Sequence, residues 1–307
     1  MENILSSTSS YSYSLSSSSF AVGLPAAVSN GWARIVDTHS PVAIEFFGSI
    51  AVQIVAFWIP VSLFTLMDVL GPERIPWRKI QPEEKQPVPT HAKPEEGKAD
   101  YAAIKKGYAN CFLNQILTTS IHIAVLAAMH FSGAERKTIF LVDREIPALG
   151  TVVKQIAVSL VLQEGIFYHA HRALHHPRLY KIHKKHHEFS TPIALAALYA
   201  HPIEYIMSNI IPVALPPFLV GGHILTFWFM LAGALFQALI SHSGYYLPPV
   251  VGWTMIVHDL HHEFSGGNYG IMGVCDFLYG TRFTSREEKV QQRKALGAGK
   301  AKAEKEN

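Results

Sequence analysis

Residues 171–187 read HRALHHPRLYKIHKKHH, and residues 258–262 read HDLHH. These segments hold much of an unusual histidine content, since 13 of the 17 histidines lie between His169 and His262. Unrelated structural uses of histidine would rarely concentrate the residue so strongly. Because neutral imidazole is a common ligand of transition metals, the two segments predict a metal centre built from separate parts of the chain.

The spacing within the histidine clusters predicts which side chains share a metal. Side chains three or four positions apart lie on one face of a helix. His171 and His175 are therefore expected to meet one metal, and the HxxHH spacing predicts the same for each of two later clusters. Both of these continue as HxxHHEF. Their members are His183, His186 and His187 in the second cluster, and His258, His261 and His262 in the third.

The number of histidines indicates how many metals are bound. Eight histidines in three clusters exceed what one tetrahedral zinc can use, and they match two metals with open coordination positions. Imidazole alone does not choose among iron, zinc, copper and nickel. Two irons with open positions could activate dioxygen for attack on an unactivated C–H bond. The histidine content therefore favours a di-iron oxygenase.

A long segment without charge separates the second cluster from the third. From Tyr205 to Val257 the sequence contains no Asp, Glu, Lys or Arg. At about 1.5 Å per residue, a helix of this length would be more than twice the roughly 30 Å of one bilayer crossing. Prolines and glycines between Pro212 and Gly222 mark a break in the segment. The segment is therefore predicted to form a hairpin of two membrane spans.

The predicted hairpin has a consequence for the metal site. Its two arms are expected at 203–215 and 223–240. The residues just outside the arms, His201 and His242, then emerge on the same side of the membrane. Both become candidate ligands beside the three clusters.

Composition and hydropathy point to a membrane protein. Charged residues make up only 16% of the chain and hydrophobic residues 49%, and the mean hydropathy is +0.17. Three apolar segments precede the hairpin, at 42–70, 111–131 and 149–168. Polar residues interrupt the third, which could line the site instead of facing lipid. The expected fold is an all-α integral membrane protein with four or five transmembrane helices and a cytosolic histidine-rich di-iron domain.

Four parts of the chain are predicted. Residues 1–41 form a disordered Ser-rich tail, 42–147 the first spans and a linker, 148–284 the catalytic domain, and 285–307 a basic and polar tail. Eight lysines and arginines in the loop 71–110 place that loop in the cytosol by the positive-inside rule. If the third segment also spans, the histidine clusters face the cytosol too. The small net charge of +3 gives no reason to expect a nucleic-acid partner.

Other polar residues near the clusters are candidates for orienting the ligands. A metal-bound histidine commonly donates the hydrogen of its second ring nitrogen to an outer acceptor. The nearest carboxylates are predicted to be either such acceptors or solvated surface groups. They are Glu164, Glu188, Asp259 and Glu263. His169, His176 and His223 are expected to be structural or to support the ligands.

The order HX3H, HX2HH and HX2HH, with a charge-free hairpin before the last motif, resembles the fatty acid hydroxylase and sterol desaturase superfamily. The resemblance covers Gln163 to Phe283 and includes the stretches LYKIHKKHHEF, ALYAHPIEYIMSN, ISHSGYYLP and HDLHHEF. The nearest branch holds C-4 methylsterol oxidases and fatty-acid-hydroxylase-domain-containing proteins. The resemblance implies an endoplasmic reticulum enzyme that uses two irons, dioxygen and electrons from NAD(P)H. By motif position it implies the ligands His171, His175, His183, His186, His187, His242, His258, His261 and His262, with His201 ranked lower.

Two positions depart from the methylsterol oxidase pattern. Tyr246 stands where HxGYH would place a second histidine after His242, and Tyr279 also replaces a histidine. Relatives similar to phytosphingosine hydroxylase lack the first of these histidines as well. A sterol or sterol-like isoprenoid lipid is the expected substrate, with fatty acid or sphingoid hydroxylation or desaturation as the alternatives. The sequence has no His-Pro-Gly-Gly haem motif, so the resemblance implies a separate electron donor, cytochrome b5 with its reductase.

Two other classes of membrane protein also use histidine. An intramembrane zinc protease requires HExxH, and the His-Glu pairs that end the second and third clusters lack its second histidine. A histidine-rich metal transporter would hold its ionisable groups near the membrane midplane, whereas these clusters lie outside the apolar segments. Both classes rank below the oxygenase.

Overall fold

The structure is a computed structural model that describes residues 25–70, 80, 101–133, 135–189, 192–246 and 252–291. These residues form helices joined by loops, and none of them belongs to a β-strand. The helices are α1 (Ala26–Thr38), α2 (Pro41–Leu70), α3 (Tyr101–Phe131), α4 (Leu149–Leu174), α5 (Tyr180–His183), α6 (202–219), α7 (Ile224–His242), α8 (Gly252–Phe264) and α9 (Val274–Leu278). Short 3-10 turns lie at His186–Glu188 and Ala194–Leu198, and a last helical turn lies at 286–291. The predicted all-α class is confirmed.

Four helices are long and apolar enough to cross a membrane: α2, α3, α4 and α7. Large apolar side chains such as Phe47, Val161 and Phe229 stand exposed on their outer faces. Lipid tails would cover such side chains, whereas water would not. The structure therefore agrees with the predicted membrane protein of four or five spans.

Helix α2 shows how the sequence sets a boundary and a close helix contact. Ser40 caps the helix by accepting a hydrogen bond from Ala43 N at 3.2 Å, and Pro41 occupies the first helical position. A Cβ atom at Gly48 would overlap the indole ring of Trp228 on α7. Because that space is free, the indole Nε1 reaches Ser49 Oγ at 3.1 Å. Helices α2 and α7 therefore pack closely through this glycine.

Helices α6 and α7 form a hairpin, as predicted, although only α7 is among the candidate membrane spans of the described residues. A π-helical stretch, Tyr205–Ile210, lies inside α6, and a turn at 220–223 reverses the chain. Gly221 sits in that turn at φ +65°, a conformation that glycine adopts without strain. The arms at 202–219 and 224–242 are slightly longer than predicted. His201 and His242 lie at the same end of the hairpin, as predicted.

The larger hydrophobic core lies at this end of the bundle. Phe57 and Val61 of α2 pack with the buried 3-10 turn Ala194–Leu198 and with Leu239 of α7. Helix α3 fixes the segment after the turn, because Asn114 Nδ2 donates to Leu198 O at 3.0 Å and to Ala200 O at 3.2 Å. The core therefore fixes the backbone segment that connects the second histidine cluster to α6.

Part of each predicted tail packs against the rest of the protein. Residues 26–38 form α1, and its Trp32 is buried and donates from Nε1 to Asp143 O at 2.8 Å. At the other end, Arg286 Nε donates to Glu263 Oε2 at 2.6 Å, and Lys289 Nζ donates to Gly266 O at 2.5 Å. Residues 26–38 are therefore helical instead of disordered as expected, and Arg286 and Lys289 of the predicted C-terminal tail contact α8 and the loop that follows it. Residues 1–24 and 292–307 lie outside the described residues.

Candidate metal centre

Nine histidine side chains converge at the end of the bundle where α4 and α7 finish. They form two groups, and within each group one ring nitrogen per residue lies within 4.8 Å of the others. The first group contains His171, His175, His183, His187 and His261, and the second contains His186, His242, His258 and His262. The structure thus brings together all nine of the higher-ranked candidates, and each group has enough ligand atoms to hold a metal.

The expectation that each HxxHH cluster serves one metal was wrong. The residues four apart stay together, so that His183 and His187 share the first group and His258 and His262 share the second. The middle residues, His186 and His261, belong to the opposite groups. Consecutive helical side chains point about 100° apart, so the last two residues of HxxHH face different sites. Each HxxHH motif therefore joins the two groups.

Hydrogen bonds at Nδ1 fix the tautomer of six of the nine rings. Five of the rings donate from Nδ1 to backbone carbonyls, and the sixth donates to a carboxylate. The pairs are His171 with Tyr269 O (2.8 Å), His186 with Tyr199 O (3.2 Å), His242 with Ala238 O (2.7 Å), His261 with Gly267 O (2.7 Å), His262 with Phe189 O (3.2 Å) and His183 with Glu204 Oε1 (2.6 Å). The Nε2 atom of each of these rings therefore carries a lone pair and no hydrogen.

In both groups such lone pairs point at each other. The Nε2 atoms of His171 and His183 lie 3.1 Å apart, and those of His186 and His242 lie 3.3 Å apart. Neither atom of a pair has a hydrogen to donate, so each contact is repulsive as it stands. A cation between the two nitrogens would remove the repulsion. The donor set therefore fits a metal in each group.

Burial keeps the rings neutral and ready to bind a metal. Burial, reinforced by the charge of His171, lowers the pKa of His186 from its ordinary value of 6.5 to about 4. Burial also lowers the pKa of His258, His261 and His262 well below the ordinary value, and repulsion from neighbouring histidines lowers it further. At pH 7 these imidazoles are unprotonated, which is the form that binds metals.

Glu204 is a functional residue that the sequence analysis missed. Its carboxylate is 3% exposed and accepts the 2.6 Å hydrogen bond from His183. A carboxylate in this position orients the ring and increases the basicity of its metal-binding nitrogen. The sequence did hold a signal, because Glu204 is the last charged residue before the charge-free segment. A carboxylate at such an edge needs a partner, and here the partner is a ligand histidine.

A loop after α8 supplies two of the carbonyls that hold the histidines, Gly267 O and Tyr269 O. Glu164 of α4 anchors the next residues by accepting from the backbone N–H groups of Ile271, Met272 and Cys275 at 2.9, 2.8 and 3.1 Å. Asp276 accepts from the backbone N–H groups of Tyr269 and Gly270 at 2.8 and 2.6 Å. Two buried carboxylates therefore set the positions of carbonyls that orient His171 and His261.

Replacing Glu164 with glutamine is expected to loosen this loop. Both carboxylate oxygens accept from backbone N–H groups, so the new NH2 group faces a donor in either orientation of the amide. The midpoint of thermal unfolding should fall, and bound metal should dissociate a few times faster. Thermal unfolding and metal release of the purified protein would be measured beside Glu135→Gln, an exposed acid in the loop between α3 and α4. Unchanged values for the Glu164 variant would contradict this account of the loop.

Several other candidates lie outside the two groups. His201 caps α6 by accepting from Ile203 N at 3.2 Å, so its expected role as a lower-ranked ligand is not supported. His223 caps α7 in the same way, by accepting from Leu225 N at 3.2 Å. His169 and His176 are exposed, and so are Tyr246 and Tyr279. None of these six side chains belongs to either group.

The carboxylates predicted to orient ligands have other partners. Glu188 accepts from Lys106 Nζ at 2.7 Å and from the Tyr199 hydroxyl at 2.6 Å. Glu263 pairs with Arg286, and Glu164 binds backbone N–H groups instead of an imidazole. Asp259 is buried. Proximity in sequence therefore did not identify the carboxylate that contacts a ligand.

A cavity of about 430 Å³ adjoins both groups of histidines. His171 and His183 of the first group and His186, His242 and His258 of the second line one end of it. Along α7 the lining runs from His242 to Phe227, which is about 22 Å at 1.5 Å per helical residue. Most of the lining between these ends is apolar, with side chains from α2, α3, α4, α6 and α7. The size and lining suit a lipid.

Comparison with known proteins gives consistent matches. The family model described as "Fatty acid hydroxylase" matches residues 156–281. Fatty acid hydroxylase domain-containing protein 2 of Homo sapiens is 33% identical over 274 residues, which cover 87% of this chain and 76% of that protein. A protein of Dictyostelium discoideum described as a methylsterol monooxygenase is 34% identical over 62% of this chain and 73% of its own length.

A third relative has a different described activity. A very-long-chain aldehyde decarbonylase of Oryza sativa subsp. japonica is 36% identical over 52% of this chain and 56% of that protein. No solved structure matches the chain significantly. The residues matched by the family model include the first two histidine clusters, His242 and the third cluster.

Proposed function

Because the chain belongs to the fatty acid hydroxylase family, we propose that it is a membrane-bound, dioxygen-dependent oxidoreductase that uses two irons to oxidise a C–H bond of a lipid. The observation that carries the proposal is the pair of histidine groups, with opposed lone pairs, at one end of an apolar cavity. A zinc protease and a metal transporter explain the two groups less well, since neither needs two adjoining metals beside a lipid-sized cavity.

The ligand assignment follows the two groups. His171, His175, His183, His187 and His261 would hold one iron, and His186, His242, His258 and His262 would hold the other. Bound irons supply the activation of dioxygen and the abstraction of hydrogen from carbon. The protein contributes the fixed tautomers, the neutral rings, and the two HxxHH motifs that keep the groups at a constant separation.

The substrate is proposed to be a lipid that enters the cavity from the bilayer. The helices that line the cavity include all four candidate spans and the apolar α6. Their apolar side chains would exclude water from the reacting carbon. A sterol or sterol-like lipid is favoured by the methylsterol monooxygenase relative, and a fatty acid or sphingoid lipid remains the alternative within the family.

Electrons are proposed to come from NAD(P)H through cytochrome b5 and its reductase. Insertion of one oxygen atom into a C–H bond consumes O2, two electrons and two protons and releases water. Four exposed cationic side chains surround the first two histidine clusters: Arg172, Arg178, Lys181 and Lys184. Such a surface would attract an acidic electron-transfer protein. These four residues are interspersed along the sequence with histidines of both groups.

The family resemblance supports residence in the endoplasmic reticulum membrane, with the histidines facing the cytosol. The linker between α2 and α3 is rich in lysine and arginine, although 71–79 and 81–100 lie outside the described residues. Ile80 of this linker donates from its backbone N–H to Gly244 O at 2.8 Å, just beyond His242. Ile80 and the histidines therefore lie at the same end of the bundle, and the positive-inside rule favours the cytosol for that end.

The proposed function is tested by metal analysis and turnover of the full chain purified in detergent. We expect two irons per chain and lipid oxidation that requires O2, NADH, cytochrome b5 and its reductase. Cells that lack the protein should accumulate the substrate, and a methylsterol is the expected one. One zinc per chain without any lipid change would overturn the proposal.

A further inference from the structure

Three buried polar atoms beside the histidines have no hydrogen-bond partner among the described residues. They are Glu204 Oε2, Ser208 Oγ and Ser241 Oγ. Their residues are 3%, 7% and 5% exposed, respectively. All three residues line the cavity. A polar atom removed from water without a partner is unfavourable, so a polar group of a ligand in the cavity would stabilise each of them.

These atoms lie at the histidine end of the cavity. Glu204 is fixed there because its other carboxylate oxygen accepts from His183. Ser208 follows Glu204 by one helical turn, and neighbouring turns on one face lie about 5–6 Å apart. Ser241 directly precedes His242 of the second group. A ligand atom that contacts these three polar atoms therefore also lies close to the two histidine groups.

We propose that Glu204, Ser208 and Ser241 bind a hydroxyl group of the lipid substrate close to the carbon that is oxidised. This inference rests on the proposed function and specifies the substrate class of the same site. The carboxylate oxygen of Glu204 accepts the hydrogen of the hydroxyl, and the two serines donate hydrogens to its oxygen. Binding of one alcohol group by all three atoms would give each of them the hydrogen-bond partner that it lacks.

Other oxygen groups fit less well. Neither a ketone nor a carboxylate has a hydrogen to donate to Glu204. A plain hydrocarbon would leave all three atoms without partners. The site therefore selects a lipid alcohol whose hydroxyl lies near the reacting carbon, and disfavours free fatty acids that would place their carboxylate there.

The test compares the binding of lipid pairs that differ only in a hydroxyl. The probes are a 4-methylsterol with its 3-deoxy counterpart, and 1-octadecanol with octadecane. Relative affinities are measured by competition on the iron-loaded full chain in detergent, without turnover. The wild type should prefer the hydroxylated member of at least one pair about tenfold, and Ser208→Ala and Ser241→Ala should each lose most of that preference.

Ser159 provides a matched control. Its hydroxyl is also buried and without a partner among the described residues, but Ser159 does not line the cavity. Ser159→Ala should keep the wild-type preference. Iron content is measured for every variant, so that a misfolded protein is recognised and replaced by the milder Ser208→Thr or Ser241→Thr variant.

The possible failures can be told apart. Absence of iron from the wild type would overturn the proposed function, whatever the lipid affinities. If the wild type holds iron but prefers neither hydroxylated probe, the inference of an alcohol site is overturned. The same conclusion follows if iron-loaded Ser208→Ala and Ser241→Ala keep the full preference.

Discussion

Replacing His186 with alanine is expected to remove iron from the second histidine group and to lower turnover more than about 100-fold. Substitution of an outer residue that only orients a ligand commonly costs 10–100-fold, and loss of a ligand should cost more. The second group has four histidines, so three would remain. His186 is also buried, so water would not easily take its place. Iron per chain and turnover of the purified variant provide the measurement.

Two other histidines serve as controls for this variant. The first control is His176→Ala, because His176 is exposed and lies outside both groups although it directly follows His175. His201→Asn keeps a side chain that can cap α6 but removes the imidazole. Both controls should retain two irons and nearly full activity. If His186→Ala behaves like them, the assignment of the second group is incorrect.

The features that the sequence predicted correctly are local. The spans at 42–70 and 149–168 follow from their predominantly apolar composition, which a membrane helix requires whatever its neighbours are. The hairpin follows from the absence of charge between Tyr205 and Val257 together with the central prolines and glycines. The same hairpin placed His242 beside the clusters, although it lies 16 residues before His258.

The features that the sequence did not predict depend on long-range packing. The spacing of HxxHH shows that three rings are near each other, but the position of the other segments decides which ring meets which metal. His261 joins the first group because His171 of α4 and His175, which directly follows α4, approach that side of α8. A periodic pattern within one helix contains no information about this approach.

The orientation of the histidine rings by backbone carbonyls is another feature that the sequence did not predict. Five ligand rings are oriented by main-chain oxygens, and any residue type offers such an oxygen. The carboxylates nearest to the clusters in sequence include Glu188 and Glu263, but these pair with Lys106 and Arg286. The carboxylate that does contact a ligand, Glu204, lies 21 residues from His183 and meets it only after α6 has packed.

Replacing Glu204 with alanine is expected to weaken iron binding in the first group by about 10–100-fold. The hydrogen bond from His183 Nδ1 would be lost, so the ring could rotate and could adopt the other tautomer. Its metal-binding nitrogen would also become less basic. The measurement is the retention of iron by the purified protein against increasing chelator concentration, which reports affinity without depending on turnover.

Glu204→Gln and Glu188→Ala separate the hydrogen bond from a general effect of charge. The amide oxygen of glutamine can still accept from His183, so this variant should retain more iron than alanine does. Glu188 is exposed and pairs with Lys106, so Glu188→Ala should leave iron retention unchanged although the residue directly follows the second cluster. Of Glu204 and Glu188, only Glu204 contacts a candidate ligand ring. Iron retention should therefore be highest in Glu188→Ala, lower in Glu204→Gln and lowest in Glu204→Ala. Equal retention by all three variants would show that no side-chain carboxylate supports the first metal, and that backbone carbonyls alone orient the rings.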